Sequence, residues 1–396
     1  MKITSTLLWS VPLIAVMAVR GMAQVNPPKK GGGNFKKHIL NNTFVSEGVA
    51  VADINRDGKK DIIAGAYWFE APRWTQHELA APQAFEFDKG YSNAFLNFAL
   101  DVNLDGWMDI IRVDFPGKAV VWHENPKNAA GHWKEHPIYH SFGNETPRFV
   151  DMDGDGRPDL IGNDSEGKEV IWLQAPVKKG DTAWKKFIVS SDKDLGTHQF
   201  THGLGAEDLN GDGRRDVLIN KGWWEAPASP SGENWLFHAS NFGEDCSQMY
   251  VMDVNGDGLK DVISSSAHNY GIWWHEQKKS SSGEISWIKH VIDNKFSQTH
   301  SLILKDMNKD GRPDLVTGKR FFAHNGNDPG AREPAVLYWY EYMPNKAPFW
   351  KAHQIDDNSG VGLGFVVEDV NGDGLQDVVV SNKKGVHYFQ QKSKGK

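Results

Sequence analysis

The chain has 396 residues, a net charge of −7 and a single cysteine, Cys246. One cysteine excludes an intramolecular disulfide, and the lack of any long run of like charge argues against a nucleic-acid-binding protein. Twenty-two of the 51 acidic residues belong to one repeated motif, so the acidic balance says little about partners: seven bound Ca²⁺ ions would change the net charge from −7 to +7.

The first 23 residues predict a secretory signal peptide. A short charged start is followed by an apolar run over residues 7–19, and Gly21 and Ala23 form a small-x-small cleavage site. The run is too short to span a bilayer, and no later stretch predicts a membrane helix. We therefore expect cleavage near Ala23, a secreted or periplasmic protein with no membrane span, and a flexible leader over residues 24–34.

A nine-residue motif recurs seven times, with spacings of 45 to 63 residues. Every copy has Asp at positions 1, 5 and 9, Asp or Asn at position 3, and Gly at position 6. Oxygen ligands at alternate positions, with a backbone carbonyl at position 7 and a Gly at the sharp turn, suit calcium rather than zinc or copper. The predicted calcium ligands are Asp53, Asn55, Asp57, Asp61, Asp101, Asn103, Asp105, Asp109, Asp151, Asp153, Asp155, Asp159, Asp208, Asn210, Asp212, Asp216, Asp253, Asn255, Asp257, Asp261, Asp306, Asn308, Asp310, Asp314, Asp369, Asn371, Asp373 and Asp377.

The motif has two other structural interpretations, an EF-hand loop and an ordinary turn. An EF-hand needs flanking helices and a Glu at position 12, where this chain has Ala64 in the first copy and Ser264 in the fifth. The flanks are instead rich in Ile and Val, so each loop is predicted to join two strands. A cluster of Asp, Asn and Gly can also be an ordinary turn, but seven copies of one pattern favour calcium.

Each repeat contains four strand-like segments, which is typical of one blade of a β-propeller. The first segment leads into the motif, the second leaves it, the third carries an aromatic doublet such as Trp68-Phe69, and the fourth begins at a Trp such as Trp74. The seventh repeat lacks its fourth segment, and the missing phrase occurs at the other end of the chain, over 35–40. The sequence thus predicts an all-β, seven-bladed β-propeller over residues 35–390, with the N-terminus as outer strand of the last blade and a disordered tail over 391–396.

Residues that recur with the repeat are interpreted as structural. Most of the 16 Trp lie at repeated positions, which predicts packing rather than sugar stacking. The same holds for the histidines of the fourth segment, His38, His77, His136, His238, His290 and His353.

Residues that differ between repeats at the strand ends remote from the motif mark a candidate site. Converging imidazoles there could bind a transition metal such as zinc or manganese, or act as acid and base, and Lys or Arg would suit a carboxylate such as that of a uronic acid. The candidate catalytic residues are His202, His268, His300 and His324, and the candidate ligand-binding residues are Tyr67, Glu145, Arg148, His198, Lys221 and Arg320. The alternative is a solvated channel mouth. Cys246 at the same end is interpreted as a buried spectator.

The motif and its flanking strands resemble the FG-GAP and VCBS repeat family, most clearly where Phe242-Gly243 precedes the copy at Asp253. That resemblance implies an integrin-α-like propeller and bound calcium. Related repeats occur in the ligand-binding head of integrin α chains, in secreted bacterial carbohydrate-associated proteins and in the propellers of some sugar lyases. The propeller of aldos-2-ulose dehydratase is similar in kind, although its catalytic residues do not map onto this chain one by one.

Two functions follow as hypotheses. The first is a secreted, calcium-binding propeller that binds a glycan or an extracellular protein at the face opposite the calcium loops. The second is an enzyme, a metal-assisted polysaccharide lyase or keto-sugar dehydratase that uses the histidine group at the same face. A scaffold without any site is a third possibility, and the oligomeric state stays open.

Overall fold

The computed structural model describes residues 34–232, 235–345 and 347–393. The predicted signal peptide (1–23), all but the last residue of the leader (24–34) and the end of the predicted tail (391–396) lie outside the described residues. Within the part described, no helix combines the length and apolar character needed to cross a membrane; the single helical element is a 3₁₀ turn at Ala323–Gly326.

The described chain is all-β, as predicted, and its antiparallel strands are short. In chain order they are β1 (Phe35–Asn41), β2 (Ala50–Ala52), β3 (Asp61–Ala64), β4 (Tyr67–Glu70), β5 (Thr75–Glu78), β6 (Leu96–Leu100), β7 (Asp109–Val113), β8 (Lys118–Glu124), β9 (Lys134–Val150), β10 (Asp159–Asp164), β11 (Glu169–Gln174), β12 (Lys185–Ser190), β13 (Gly205–Glu207), β14 (Asp216–Ile219), β15 (Gly222–Glu225), β16 (Leu236–Ala239), β17 (Tyr250–Met252), β18 (Asp261–Ser265), β19 (Tyr270–Lys279), β20 (Ile285–Ser297), β21 (Leu302–Lys305), β22 (Asp314–Gly318), β23 (Leu337–Met343), β24 (Phe349–Asp356), β25 (Val366–Glu368), β26 (Asp377–Asn382) and β27 (Gly385–Gln391).

Most strands form four-stranded sheets in which neighbours along the chain are also neighbours in the sheet. Four such sheets contain β2–β5, β13–β16, β17–β20 and β21–β24. A fifth contains β25, β26 and β27, and β1 pairs antiparallel with β27, with Phe35 opposite Gln391 and His38 opposite Tyr388. The first strand of the described chain is therefore the outer strand of the last sheet, at the place the missing segment predicted.

The second and third repeats share one seven-stranded sheet, β6 to β12, instead of the two four-stranded sheets expected from the sequence. The cause is β9, a continuous strand of 17 residues that pairs with β8 through its first half and with β10 through its second half. Its middle, Ser141–Arg148, is buried, and β9 continues through Gly143-Asn144 and Pro147 with a shift of register and a left-handed φ of 84° at Asn144.

Each motif copy lies in a hairpin turn between the first two strands of its set, for example between β2 and β3 or between β25 and β26. Strands, not helices, flank every copy, which confirms the argument against an EF-hand. The Gly at position 6 has a left-handed φ of 82° to 94° in all seven copies. A residue with a Cβ would be strained there, so this glycine sets the turn.

The Asp at position 9 is buried and connects three strands. In the first copy, one Asp61 oxygen accepts the backbone N–H of Ile54 (3.0 Å) and the other accepts that of Ala71 (2.8 Å). The corresponding pair of hydrogen bonds occurs in all seven copies, through Asp61, Asp109, Asp159, Asp216, Asp261, Asp314 and Asp377. Burial raises the pKa of Asp159 to about 7 and that of Asp61 to about 6. This carboxylate satisfies backbone donors that the turn would otherwise leave unpaired.

In most sets, a Trp of the third strand and a His of the outer strand stack on each other. His77 on β5 stacks on Trp68 of β4 at 4.3 Å between ring centroids, and its Nε2 lies 2.9 Å from Glu70. The same trio recurs with ring distances of 4.2–4.4 Å in four further sets, at His136, His238, His290 and His353. In the third repeat, Phe187 takes the place of the histidine on Trp172. These contacts agree with a structural role.

Three buried histidines of the third strands give folding a pH dependence. Burial, followed by nearby cations, lowers the pKa of His123, His275 and His387 to about 4, whereas an unfolded histidine titrates near 6.5. As the pH falls below about 6.5 the unfolded chain takes up the proton first. The stability contributed by each neutral histidine is thus fully present above pH 6.5 and is lost progressively towards pH 4.

We expect His275→Phe to flatten the decline of Tm between pH 7 and pH 5. The substitution removes one of the three histidines, each of which contributes a pH-dependent stability on the order of 1–3 kcal/mol. Thermal unfolding over a pH series measures the slope. His140→Phe, which changes a mostly exposed histidine, should leave the slope unaltered. Equal slopes for the wild type and His275→Phe would contradict a neutral buried His275.

Candidate functional site

A cavity of about 670 Å³ opens at the strand ends remote from the motif hairpins. Its residues come from segments that precede a first strand, such as His202 before β13, and from segments that follow a second strand, such as His268 after β18. Since the motif lies between these two strands, both positions are at the opposite end of the sheet. The cavity is thus on the face where the sequence placed its candidate site.

Three histidines meet at the floor of this cavity. His202 Nε2 lies 3.0 Å from His300 Nε2 and 3.1 Å from His268 Nε2. One nitrogen from each ring falls within 4.8 Å of the others. His202 and His300 are buried and His268 is partly exposed, so the group is reached from the cavity through His268.

The neighbours of these rings determine which nitrogens carry protons. His202 Nδ1 donates to the backbone carbonyl of Phe200 at 2.8 Å, which leaves Nε2 with a free lone pair in the neutral ring. His268 Nδ1 faces the Asp245 carboxylate at 3.4 Å. Burial, and then Arg320, hold the pKa of His300 well below its usual value, so this ring is neutral. An imidazole whose Nδ1 is held by an oxygen presents Nε2 as a metal ligand.

A buried carboxylate lies beside the three nitrogens. Glu145 Oε2 is 3.5 Å from His202 Nε2, 3.4 Å from His300 Nε2 and 3.3 Å from the Arg320 guanidinium. Burial alone would raise the pKa of Glu145, but His202, His300 and Arg320 together lower it well below its usual value. Arg320 is itself buried and also approaches Glu47, at 3.5 Å. The Arg320 guanidinium thus helps to keep Glu145 charged next to the histidines.

Three imidazole nitrogens and one carboxylate form a donor set that suits zinc or manganese. A hydrogen bond between two of these Nε2 atoms, which lie 3.0–3.1 Å apart, uses a proton on one of them and leaves the third nitrogen without a donor. A cation that accepts all three lone pairs satisfies the group. The residues present therefore fit a transition metal.

The walls of the cavity combine aromatic and charged side chains. Phe115 contacts Phe95 and Phe200 edge to face, with ring centroids 5.1 Å and 5.5 Å apart, and Tyr91 lies 5.6 Å from Phe95. Around the opening are three lysines and two aspartates: Lys168, Lys193, Lys221, Asp194 and Asp245. Flat aromatic faces and ammonium groups together suit a sugar that carries a carboxylate.

The structure brings most of the predicted site residues to this cavity but not all of them. Those that line it are His202, His268, His324, Glu145, His198 and Lys221, and His300 and Arg320 lie directly behind the lining. Tyr67 lines a different depression, beside Arg112 and Glu135. Arg148 is paired with Glu207 at 3.1 Å and lies over the Tyr250 ring. Arg148 on β9 thus points towards Glu207 of β13 and Tyr250 of β17, the neighbouring inner strands, and not into the cavity.

Several lining residues were not singled out from the sequence. Tyr91 comes from the connection between β5 and β6, and Lys168 and Lys193 come from other non-repeating connections. The available signal was the length of the first connection, since residues 79–95 form a longer link than the other repeats have at that point. Cys246, in contrast, is buried, and burial raises its pKa to about 12, which makes it an unreactive spectator.

The motif loops offer oxygens that fit calcium. In the first copy, Asp53 accepts the backbone N–H groups of Asp57 and Gly58, and Asn55 accepts that of Asp57, so the side chains turn inward over the loop. In the third copy, Asp151, Asp153 and Asp159 each place one oxygen within 4.8 Å of the others. Five fifth-position carboxylates also pair with a cationic side chain, at Lys59, Lys127, Arg214, Lys278 and Arg312. Calcium would have to displace these cations.

Comparison with known proteins identifies FG-GAP-like repeats at residues 101–162 and 253–317, which confirms the resemblance predicted from the motif. A search of curated proteins found no match.

Similar solved structures include a lectin from Agrocybe aegerita described as recognising non-reducing terminal N-acetylglucosamine, with 16% identity, a TM-score of 0.46, and coverage of 87% of this chain and 84% of the lectin. They also include the rhamnogalacturonan lyase YesW (10% identity, TM-score 0.45) and a rhamnogalacturonan lyase from Bacillus licheniformis (11%, 0.44), each covering 92% of this chain and 75% of the other. At these identities and TM-scores, none of the three assigns a ligand or an activity to this chain.

Proposed function

We propose that this protein is an exported, calcium-stabilised seven-bladed β-propeller that binds an acidic carbohydrate and acts on it by metal-assisted elimination. The observation that carries the activity is the meeting of His202, His268 and His300 Nε2 atoms at the floor of the cavity. The reaction class is that of a polysaccharide lyase or a keto-sugar dehydratase, a carbon–oxygen lyase acting on carbohydrate.

The arrangement of strands supports a closed ring of seven blades. Seven motif hairpins each begin a set of strands, and each set has an inner, a second, a third and an outer strand. β1 completes the set of β25–β27, and Gly48, just before β2, forms a parallel bridge with Gly364, just before β25. The first and last inner strands are therefore neighbours, as closure requires. A ring of this kind has no free inner edge for aggregation.

The three histidines would hold zinc or manganese, with Glu145 beside them. When bound, such an ion polarises a carbonyl or carboxylate of the substrate and stabilises the negative charge that develops after proton removal. The protein's own part is to orient His202 through Phe200 O and His268 through Asp245, and to keep Glu145 ionised through Arg320.

The ligand class follows from the walls. The aromatic row Phe95, Phe115 and Phe200 offers faces for sugar rings, and Lys168 and Lys221 offer charge for a uronate carboxylate. A cavity of about 670 Å³ lies in the range of small-ligand sites and would take a few sugar residues of a chain. The predicted signal peptide supports an extracellular or periplasmic polysaccharide as the natural encounter.

A second candidate function is carbohydrate or extracellular-protein binding without chemistry. The aromatic row favours it, because contacts of this type bind a ligand whether or not a metal is present. The two candidates differ in the role of the histidines, which are essential to elimination and only peripheral to simple binding.

Metal analysis of the purified protein separates the two candidates. We expect about one zinc or manganese ion per chain in addition to calcium after growth with both metals, measured by inductively coupled plasma mass spectrometry. The loaded protein is then tested for the ultraviolet absorbance of unsaturated uronate on polygalacturonate and alginate. Calcium alone, with no transition metal retained after dialysis, would contradict the enzymatic proposal and favour binding.

A further inference from the structure

A second cluster of residues, distinct from the three histidines, lies in the connection between β22 and β23. Phe322, His324 and Asn325 all have left-handed backbone conformations, with φ of 57°, 46° and 54°. Three such residues in one short turn are costly and persist only when their surroundings hold them, a feature concentrated at functional sites.

Contacts from two directions hold this turn. The His324 backbone N–H donates to the Tyr91 hydroxyl at 3.0 Å, and the Lys383 ammonium donates to the Phe322 carbonyl at 3.2 Å. Lys383 is buried and lies over the Tyr91 ring at 4.6 Å. The strained backbone is thus fixed by a tyrosine of the cavity wall and by a buried lysine of the last sheet.

The turn presents a His–Asp pair to the cavity. His324 Nδ1 lies 2.9 Å and 3.1 Å from the two oxygens of Asp328, and Asp328 also accepts the Gln298 side-chain amide at 3.0 Å. A carboxylate that holds Nδ1–H leaves Nε2 unprotonated in the neutral ring. The pair therefore has the arrangement of an oriented general base.

The position of His324 separates it from the metal-binding group. Its ring stands edge to face with that of His268, 4.5 Å between centroids, and it lines the cavity with about a third of its side chain exposed. It does not belong to the set of nitrogens that lie within 4.8 Å of one another. A substrate atom held at the three histidines would therefore lie next to His324, and His324 would not compete with it for the metal.

We propose that His324 Nε2 is the general base of the elimination and that Asp328 is its positioning residue, an inference that rests on the proposed function. His324 removes the proton from the carbon next to the uronate carboxylate. The electron pair of that C–H bond forms a carbon–carbon double bond, and the bond from the neighbouring carbon to the glycosidic oxygen breaks. The oxygen leaves as a hydroxyl by taking a proton from water, and the hydroxide so formed takes up the proton that His324 removed, which returns His324 to its neutral form.

The first test compares His324→Gln and Asp328→Asn with the wild type. Both variants should keep the full transition-metal content, because neither residue belongs to the three-histidine group. Formation of unsaturated uronate from polygalacturonate or alginate should fall by about 100-fold or more in His324→Gln. The matched control is His132→Gln, which alters an exposed histidine 3.2 Å from Glu78. Loss of the metal in His324→Gln, or activity within about tenfold of the wild type, would overturn the assignment.

A chemical probe gives a readout that needs no substrate. Diethyl pyrocarbonate acylates unprotonated, accessible imidazole nitrogens, and peptide mass spectrometry locates the products. In the zinc-loaded protein we expect His324 to react while His202, His268 and His300 are protected, and Asp328→Asn to slow the reaction at His324 by about tenfold or more. Protection of His324 together with the other three would make it a metal ligand and overturn the proposal. A wild-type protein that binds no zinc would instead refute the proposed function itself.

Discussion

Replacing His300 by alanine is expected to reduce the affinity for zinc by more than about 100-fold. Second-sphere substitutions alone cost 10- to 100-fold in metal affinity, and His300 is placed as a direct ligand. Its side chain is fully buried and its Nε2 lies 3.0 Å from that of His202, so no other side chain can replace it. The remaining two nitrogens would also lose the geometry that the third ring imposes.

Competition titration against a chromophoric chelator measures this loss. His198→Ala is the matched control, since His198 lines the same cavity but is not one of the three converging rings. Removal of His300 also leaves Glu145 with one partner fewer and can lower stability, so His268→Ala, at the partly exposed member of the group, serves as the second variant. Unchanged zinc affinity in both folded variants would show that the three rings are not a metal centre.

The architecture could be predicted because its determinants are local and repeated. Gly at position 6 of the motif demands a left-handed turn, and Ile or Val pairs after position 9 demand buried strands, so each hairpin follows from about twelve consecutive residues. The pairing of β1 with β27 was also predictable, because only one copy of the fourth segment was missing and only one unmatched segment existed. The fusion of two repeats through β9 was not, because Gly143-Asn144 and Pro147 are turn signals, yet β9 continues through them with a shift of register.

The candidate site was only partly predictable, because it is assembled from segments that do not repeat. Aligning the repeats placed His202, His268 and His300 at one end of the sheets, but the distances between them depend on how neighbouring inner strands pack. The same alignment could not show that Arg148 turns to Glu207 or that Tyr67 faces another depression. Asp328 and Tyr91 belong to long connections with no counterpart elsewhere, so no repeat position pointed to them.

The structure gives the Asp at position 9 of the motif a different role from the one predicted. From the sequence, Asp at position 9 is a calcium ligand equal to the others. In the structure, both oxygens of Asp159 are occupied by the backbone N–H groups of Met152 and Ala175, at 3.0 Å and 2.9 Å, whereas Asp155 at position 5 is exposed and accepts only the N–H of Arg157. Position 9 thus stabilises the strands with or without an ion, whereas positions 1, 3 and 5 accept backbone N–H groups only within the loop, so the ion adds most there.

Removal of calcium with EGTA is expected to lower Tm by roughly 10 °C or more. A ligand bound only to the native state at about 100 times its Kd contributes on the order of 2.7 kcal/mol per site. Three occupied loops would then contribute about 8 kcal/mol, and a chain of this size loses somewhat under about 2 °C per kcal/mol. The chain has no disulfide to hold the loops in place of the ion, so the effect should appear in full. EGTA also binds zinc, so adding back calcium alone, which should restore the Tm, shows that the loss comes from calcium.

Two substitutions in the third loop divide the roles of its carboxylates. Asp155→Asn should lower Tm only when calcium is present and should be indistinguishable from the wild type in EGTA. Asp159→Asn should lower stability in both conditions, by about 1.5–3 kcal/mol even without calcium, because the amide NH₂ replaces an acceptor for one buried backbone N–H. Differential scanning calorimetry of the three proteins with and without calcium measures both effects. If EGTA leaves the Tm of the wild type unchanged, the loops are turns that bind no calcium. If Asp159→Asn has the same Tm as the wild type in EGTA, the hydrogen bonds of position 9 do not stabilise the strands.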